Sequence, residues 1–183
     1  MRNIETDRLM LRPFEASDRD IIYRISSDPS VTRYLCHFGN EGSTPVQDTD
    51  RFVAYFLSAH AQTPQRAVEY AVVEKATGAV MGDCSIEYTQ DAHTGEIGWI
   101  LLPEYQHKGY ATELGHALVR FGFEELLMDK IIAHCDARNT PSQGVMKRIG
   151  MKEEAIARGA RPKKALDDAP GDELTYAIYK KEM

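Results

Sequence analysis

The sequence predicts a mixed α/β domain with a central sheet, and three observations carry that prediction. Residues 68–74 and 79–88 are strand-like stretches on either side of a turn-like segment at 75–78, which together read as a hairpin. Residues 111–126 place Leu114, Leu118, Phe121 and Leu126 on roughly one helical face. Further strand-like and helix-like segments flank both, giving the order β-α-α-β-β-β-α-β-α-β of a sheet with helices packed against it.

Taken in chain order, residues 6–12 alternate through Leu9 and Leu11 as a first strand, which Pro13 ends. Ser17, with Asp20 three residues on, offers a cap for a helix that buries Ile21, Ile22 and Ile25. Asp28-Pro29 breaks that helix. A Gly- and Ser-containing loop at 39–45 leads to a second helix with Phe52, Val53, Phe56 and Leu57 on one face. After the hairpin, residues 95–102 form another strand closed by Pro103, followed by a short polar loop and the long helix. Residues 130–135 read as a short strand, 142–149 as a short helix and 174–179 as a last alternating strand. The charged stretch 154–172, with Pro162, Pro170 and Gly171, reads mostly as a mobile loop or irregular insertion.

A chain of 183 residues with 43% hydrophobic content suits one domain with an ordinary core. No apolar run approaches the roughly 20 residues a membrane helix needs, and no signal-peptide stretch opens the chain, so a soluble cytoplasmic protein is expected. Cys36, Cys84 and Cys135 are odd in number and form no C-x-x-C pair, which fits a reducing compartment. His37, His60, His93, His107, His116 and His134 show no metal-ligand spacing, so no metal is expected. A net charge of -6 argues against nucleic acid as the main partner.

The chemistry centres on Gln106-His107-Lys108-Gly109-Tyr110-Ala111, between a strand and an amphipathic helix. The first turn of a helix carries unpaired N–H groups and a dipole that favours an anion. A glycine just before it lets backbone approach a phosphate closely. The pattern is neither a P-loop nor the G-x-G-x-x-G dinucleotide fingerprint. On spacing alone, Gly109 is as much a turn glycine as an anion-site glycine.

Gln106-x-x-Gly109-x-Ala111 resembles the Q/R-x-x-G-x-G/A motif of the GNAT N-acetyltransferases. Asn139-Thr140-Pro141-Ser142 followed by Gly150-Met151 resembles that family's second motif. Thr6-x-Arg8-Leu9-x-Leu11-Arg12 resembles the opening of the branch that acetylates the N-termini of ribosomal proteins. The resemblance spans nearly the whole chain and is weakest at 39–65 and 154–172. It implies a single GNAT domain over 1–183, with a mixed sheet of about six to seven strands and about four helices. It also implies acetyl-coenzyme A as cofactor, a primary amine as acceptor, no nucleic acid or membrane partner, and compatibility with a homodimer. In that reading the backbone of Ile100, Leu101 and Leu102 pairs with the pantetheine arm. The N–H groups from Gln106 through His107, Lys108, Gly109 and Tyr110 to Ala111 hold the pyrophosphate, with a hydroxyl from Thr112. Asn139 bonds the pantetheine arm and Ser142 sits near the thioester sulfur. Lys108 or Arg138 is available to phosphate charge, with a surface role preferred for Arg138.

Glu96, at the start of its strand, is the candidate general base, with Glu87 and Glu113 as lesser candidates. Glu113 has a second explanation as a favourable charge in a helix first turn. Many family members place a tyrosine four residues after the position of Ser142, where this chain has Met146. Ser142 is therefore the candidate proton donor, with Tyr110 and Tyr176 as substitutes. Trp99 reads as packing. Tyr34, Phe38 and Phe56 fall where the family builds its acceptor side, although Phe56 also reads as core. The resemblance points to a protein N-terminal α-amine as acceptor. A small amine or antibiotic acceptor, and a non-catalytic module that binds acetyl-coenzyme A, are the alternatives.

Overall fold

The computed structural model describes residues 2–182 except 41, 61–66, 165, 166 and 168. One sheet carries eight strands in the order β1-β2-β3-β4-β5-β6-β8-β7. These are β1 (Ile4–Glu5), β2 (Leu9–Pro13), β3 (Ala67–Glu74), β4 (Val80–Tyr88), β5 (Thr94–Leu101), β6 (Lys130–Asp136), β7 (Lys152–Arg161) and β8 (Gly171–Tyr179). The helices are α1 (Arg19–Ser27), α2 (Pro29–Thr32), α3 (Pro45–His60), α4 (Tyr110–Glu124) and α5 (Thr140–Arg148). Among the described residues, no helix is long and apolar enough to cross a membrane.

Two strands exceed the expectation, and each has a physical reason. The opening strand is split, because Thr6 Oγ1 accepts from Leu9 N at 2.9 Å and closes a turn between β1 and β2. The charged stretch expected to be a mobile loop instead forms β7, which pairs antiparallel with β8. Nine of its ten residues are exposed, so its side chains carry no burial pattern from which a strand can be read. Gly159, at φ 62°, sits within the second of two register shifts in this pairing. The part of that stretch at 165, 166 and 168 lies outside the described residues, as does residue 41 of the expected 39–45 loop.

Other boundaries follow local chemistry. Residues Ala16–Asp18 form a 3-10 turn ahead of α1, and Ser17 is not its cap; Asp18 instead accepts from Glu15 N at 2.9 Å and is gripped by both Arg12 terminal nitrogens at 2.7 Å. Asp28 ends α1 and caps α2, accepting from Ser30 N at 2.8 Å, with Pro29 as the first helical residue.

The period-2 alternation of the strands sorts the core onto two faces. Leu9, Leu11, Tyr70, Val72, Ile86 and Ile97 meet Leu114, Leu118 and Phe123 of α4. Phe14, Ala71 and Leu102 meet Ile22 and Ile25 of α1 and Phe56 of α3. All neighbouring strands are antiparallel except β5 and β6, whose parallel pairing covers only Thr94–Glu96 against Lys130–Ile132. Beyond Glu96 the two strands part, and that gap positions the site.

Candidate active site

A cleft of about 600 Å³ opens where β5 and β6 diverge. Glu96, Gly98 and Ile100 face it from β5, Ala133, His134 and Cys135 from β6, and Asn139 and Ser142 from the start of α5. Tyr34, Phe38 and Phe56 wall it on the far side, with Phe38 stacked on Phe52 at 4.0 Å and Phe56 edge-on to Phe14 at 5.0 Å. Eight residues singled out in sequence for chemistry or for contact with the pantetheine arm or acceptor, Tyr34, Phe38, Phe56, Glu87, Glu96, Ile100, Asn139 and Ser142, therefore share one cavity.

The open edge of β5 is a row of backbone groups. Leu102 N donates to Met81 O at 2.9 Å, so strand alternation turns the peptide groups of Ile100 and Leu102 toward β4 and those of Ile97, Trp99 and Leu101 toward the gap. Leu102 therefore departs from its expected role, and its side chain is buried in the second core cluster. Ile100 lines the cleft with its side chain rather than with its peptide groups. Trp99, read in sequence as packing alone, presents its backbone to the gap. The signal for this was the strand phase, which Leu102 alone cannot disclose without its β4 partner.

At the end of β5 the chain passes through Gln106 to the start of α4. His107 (φ 59°) and Gly109 (φ 82°) both take left-handed backbone, and no side chain caps the helix. The first-turn N–H groups of Tyr110, Ala111 and Thr112 thus lie at an uncapped helix start, the arrangement that suits a diphosphate. Gln106 Nε2 donates to Leu101 O at 2.8 Å and ties this loop to β5. Lys108 O accepts from Arg8 Nη1 at 3.0 Å. Thr112 Oγ1 accepts from Arg148 Nε at 3.1 Å, so α5 brings to this loop an exposed cation that no sequence spacing revealed. Arg138 is engaged elsewhere, bonded to Asp136 at 2.7 Å and 2.9 Å and to Asp167 at 3.0 Å. An open strand edge beside an uncapped, left-handed helix entry is a fit for a pantetheine arm ending in a diphosphate.

The candidate catalytic groups separate cleanly. Glu113 accepts from Thr6 Oγ1 at 2.5 Å, Arg8 N at 2.9 Å and Arg8 Nε at 2.6 Å. Burial works against its charge, but these bonds outweigh it and hold the carboxyl below its ordinary range. Tyr110 donates to Glu74, and Tyr176, fully buried, donates to Glu153 at 3.2 Å, so neither hydroxyl is offered to the cleft. Met146 is also fully buried. Ser142 remains, its N–H donating to Asn139 Oδ1 at 3.2 Å in the cap of α5. Glu96 lies 3.8 Å from His134 Nε2, and His134 Nδ1 is 3.0 Å from Thr175 Oγ1 and 3.6 Å from Glu173. Burial raises the Glu96 carboxyl above its ordinary range, opposed by His134 and reinforced by Glu87 and Glu173. His134 had no sequence signal, because the β5–β6 and β6–β8 pairings together set it beside these groups.

The sheet floor of the cleft is acidic. Glu69 of β3, Asp83 and Glu87 of β4 and Glu96 of β5 all line it. Burial lifts Asp83 to about 7, and its Oδ1 has no hydrogen-bond partner among the described residues. Burial also raises Glu87, against a hydrogen bond from Tyr55. Glu69 is raised by burial and by the neighbouring charges of Asp83 and Glu87. The arginines in the lining are engaged within the chain: Arg51 bonds Asp48 at 2.8 Å, and Arg161 Nε lies 2.9 Å from Glu173, an ion pair without hydrogen-bond alignment.

This geometry suits a coenzyme-A-dependent acyltransferase. Residues 8–152 match the family described as acetyltransferase (GNAT) domain, and the chain belongs to that family of acetyl-coenzyme-A-dependent N-acetyltransferases. It is 34% identical over 180 residues to an uncharacterized N-acetyltransferase, YnaD, of Bacillus subtilis (strain 168), covering 98% of each chain. It is 26% identical over 144 residues to the spermidine N(1)-acetyltransferase of Escherichia coli (strain K12), covering 79% of this chain and 73% of that one. Its fold is similar to that of the ribosomal-protein-S5-alanine acetyltransferase of Vibrio fischeri, with a TM-score of 0.76, 21% identity and coverage of 100% and 98%.

Proposed function

We propose that this enzyme acetylates a small, cationic primary amine by direct attack within a ternary complex. The observation that carries this reading is the cleft itself, where Glu96, Asn139 and Ser142 meet the open edge of β5 over a carboxylate-lined floor. Acetyl-coenzyme A supplies the activated acyl carbon and the thiolate leaving group. The chain supplies the rest. Backbone N–H groups turned to the gap from Trp99 and Leu101 hold the arm and polarise the acyl oxygen. The N–H groups from Gln106 to Ala111, with Thr112, Lys108 and Arg148 nearby, hold the diphosphate.

Glu96 takes a proton from the incoming ammonium, a task of some size because an alkylamine titrates near 10.4. His134 and Glu173 continue the path for that proton toward β8. Ser142 Oγ donates a proton to the departing sulfur and is reprotonated by the second proton that the amine nitrogen loses as the amide forms. Holding both reactants in one cavity contributes the remainder of the acceleration.

A protein N-terminus is the second reading, favoured by the opening motif. In the fold, however, that motif is structural: Thr6 and Arg8 bond Glu113, and Arg12 bonds Asp18. The test is thiol release from acetyl-coenzyme A with a panel of small amines and of peptides with free N-termini. Turnover with small amines and little with peptides is expected. Preference for peptides would replace this acceptor with the second reading, and binding of acetyl-coenzyme A without any turnover would leave only a binding module.

A further inference from the structure

β7 has an unusual build for an edge strand. Nine of its ten residues are exposed, and the last, Arg161, is only 9% exposed and lines the cleft. The register shows how this happens. Ala157 pairs with Glu173 and Arg161 with Gly171, so β7 uses more residues than β8 between these two pairs and bulges there. A bulge bends its strand and re-aims a side chain. Asp172 holds this one, accepting from Gly159 N at 2.9 Å and from Arg158 Nη1.

A buried guanidinium is costly unless its charge and donors are used. Arg161 uses them on two separate parts of the cleft. Its Nε lies 2.9 Å from Glu173, Glu173 lies 3.6 Å from His134, and His134 lies 3.8 Å from Glu96. Its Nη1 donates to Cys36 Sγ, in the segment 34–38 that walls the acceptor side. Burial raises the Cys36 thiol, so at neutral pH the sulfur is an acceptor for Arg161 and not a nucleophile. Just beyond β7, Lys164 Nζ fastens the same wall, donating to Phe38 O and to Asn40 Oδ1 at 2.7 Å.

Resting on the amine-acetylation reading above, we propose that Arg161 is a positioning residue that joins the acceptor wall to the base. One arm fixes segment 34–38 through Cys36, and the other fixes Glu96 through Glu173 and His134. The amine is thereby held where Glu96 takes its proton, although Arg161 touches no reacting atom.

The second arm has an electrostatic signature. Glu96 is faced by Glu87 from β4, Tyr55 from α3, His134 from β6, Arg161 from β7 and Glu173 from β8. Burial raises Glu96, His134 and Arg161 oppose that rise, and Glu87 and Glu173 reinforce it. Loss of the Arg161 charge therefore raises Glu96 further.

The test follows the Glu96 carboxyl by carbon NMR on protein saturated with coenzyme A, and separately the steady-state acetylation of butylamine. In Arg161→Gln, Glu96 should titrate at a pH about 0.5 higher, and the KM for butylamine should rise about tenfold. Arg161→Lys keeps the charge, but its single nitrogen does not span Glu173 and Cys36. Its Glu96 titration should match that of the unaltered protein while KM stays raised. Cys36→Ala cuts only the first arm, so KM should rise about threefold with the titration unmoved. These last two variants decide the matter if Arg161→Gln does not fold. An unchanged KM in Cys36→Ala and Arg161→Lys would overturn the joint, as would an unmoved Glu96 in folded Arg161→Gln. A Glu96 shift in Cys36→Ala equal to that in Arg161→Gln would also overturn it, because it would mean general loosening in place of two arms. A Glu96 shift in Arg161→Gln that Arg161→Lys reverses, in a protein that acetylates no amine, would support the link to the base while overturning the acetylation reading on which it rests.

Discussion

Glu113, in the first turn of α4, accepts three hydrogen bonds, from Thr6 Oγ1, Arg8 N and Arg8 Nε. Asp83, on the cleft floor, leaves one carboxyl oxygen without any partner among the described residues. Both are partly or wholly buried, yet their proton affinities move in opposite directions, Glu113 down and Asp83 up to about 7. The same contrast holds around them. Glu74 is drawn below its ordinary range by the hydroxyls of Tyr110 and Thr77, whereas burial raises Glu69, Glu87 and Glu96. Acids at the helix entry are completed from within the chain and hold its parts together. On the floor, burial governs the acids instead, and Asp83 keeps a carboxyl oxygen that no described group bonds.

The largest expected effect breaks the helix-entry region. Gly109 sits at φ 82°, where a side chain is strained, and its N-terminal position puts any side chain beside the anion cradle. Gly109→Asp adds both strain and a negative charge there. Calorimetry with acetyl-coenzyme A should show affinity lowered by about a hundredfold, since a like charge about 4 Å from the diphosphate costs between about 1 kcal/mol in water and about 4 kcal/mol near a protein surface. Unaltered binding by the folded variant would move the diphosphate away from this turn.

Glu96→Gln comes next, because it removes the candidate base while keeping the shape. General-base catalysis contributes about 10²–10⁴-fold, so kcat should fall by that order at neutral pH. The unaltered enzyme needs Glu96 ionised, and burial sets that ionisation above the ordinary carboxylate range. Its rate should therefore rise with pH through that raised value, and the variant should lack this rise. An identical pH–rate profile in the variant would return Glu96 to the status of one more floor acid.

Asp83→Asn sharpens the contrast through stability. A carboxyl with a folded-state value near 7 and an ordinary value of 3.8 binds a proton in the folded state that the unfolded chain has released. Stability from this group is therefore complete below about pH 4 and declines as pH rises to about 7. The variant does not titrate, so its stability relative to the unaltered protein should climb across that window by about 4 kcal/mol, or about 10 °C in Tm, and then level off. Parallel Tm curves for the two proteins would show that Asp83 is solvated or paired in solution.

These tests also mark what the sequence could disclose. The order of α1, α3, α4 and α5 among the strands follows from apolar spacing at positions such as Ile22, Ile25, Leu114 and Leu118, whereas the one-turn α2 begins at the Asp28-Pro29 break and carries no such spacing. β7 was illegible because Lys152 through Ala160 face solvent, and its pairing with β8 rests on backbone bonds that side-chain pattern does not record. In the site, Gln106 to Ala111, Asn139 and Ser142 were legible because local motifs carry them. His134, Arg148 and Asp83 were not, because each acquires its meaning from a residue on another strand or helix, and Glu87 was read only as a lesser base. The phase of β5, which selects Trp99 and Leu101 over Leu102, is likewise a property of two strands together.

Ser142→Ala carries a smaller effect. The hydroxyl serves only the departing sulfur, and a thiolate near pKa 8.5 is a fair leaving group without help. We expect kcat to fall about tenfold, with coenzyme affinity unchanged because the Asn139 cap uses the Ser142 backbone and not its side chain. An unchanged kcat would remove Ser142 from the chemistry and leave water as the proton source.

The smallest effect tests the other half of the comparison. Glu113→Ala removes the acceptor of three bonds, but Arg8 is 45% exposed at its side chain, so solvent replaces much of what is lost. Stability should drop by about 1 kcal/mol, or about 3 °C in Tm. Because the Glu113 carboxyl is held below its ordinary range, its contribution is present at neutral pH and is lost as pH falls through the acid range, opposite in sign to that of Asp83. Turnover with small amines should stay as it was, because Glu113 is joined to Thr6 and Arg8 rather than to the cleft. A Glu113 variant that altered that turnover would mean that the two acidic regions are coupled, and the contrast between a carboxylate held by three bonds and one with an unbonded oxygen would fail.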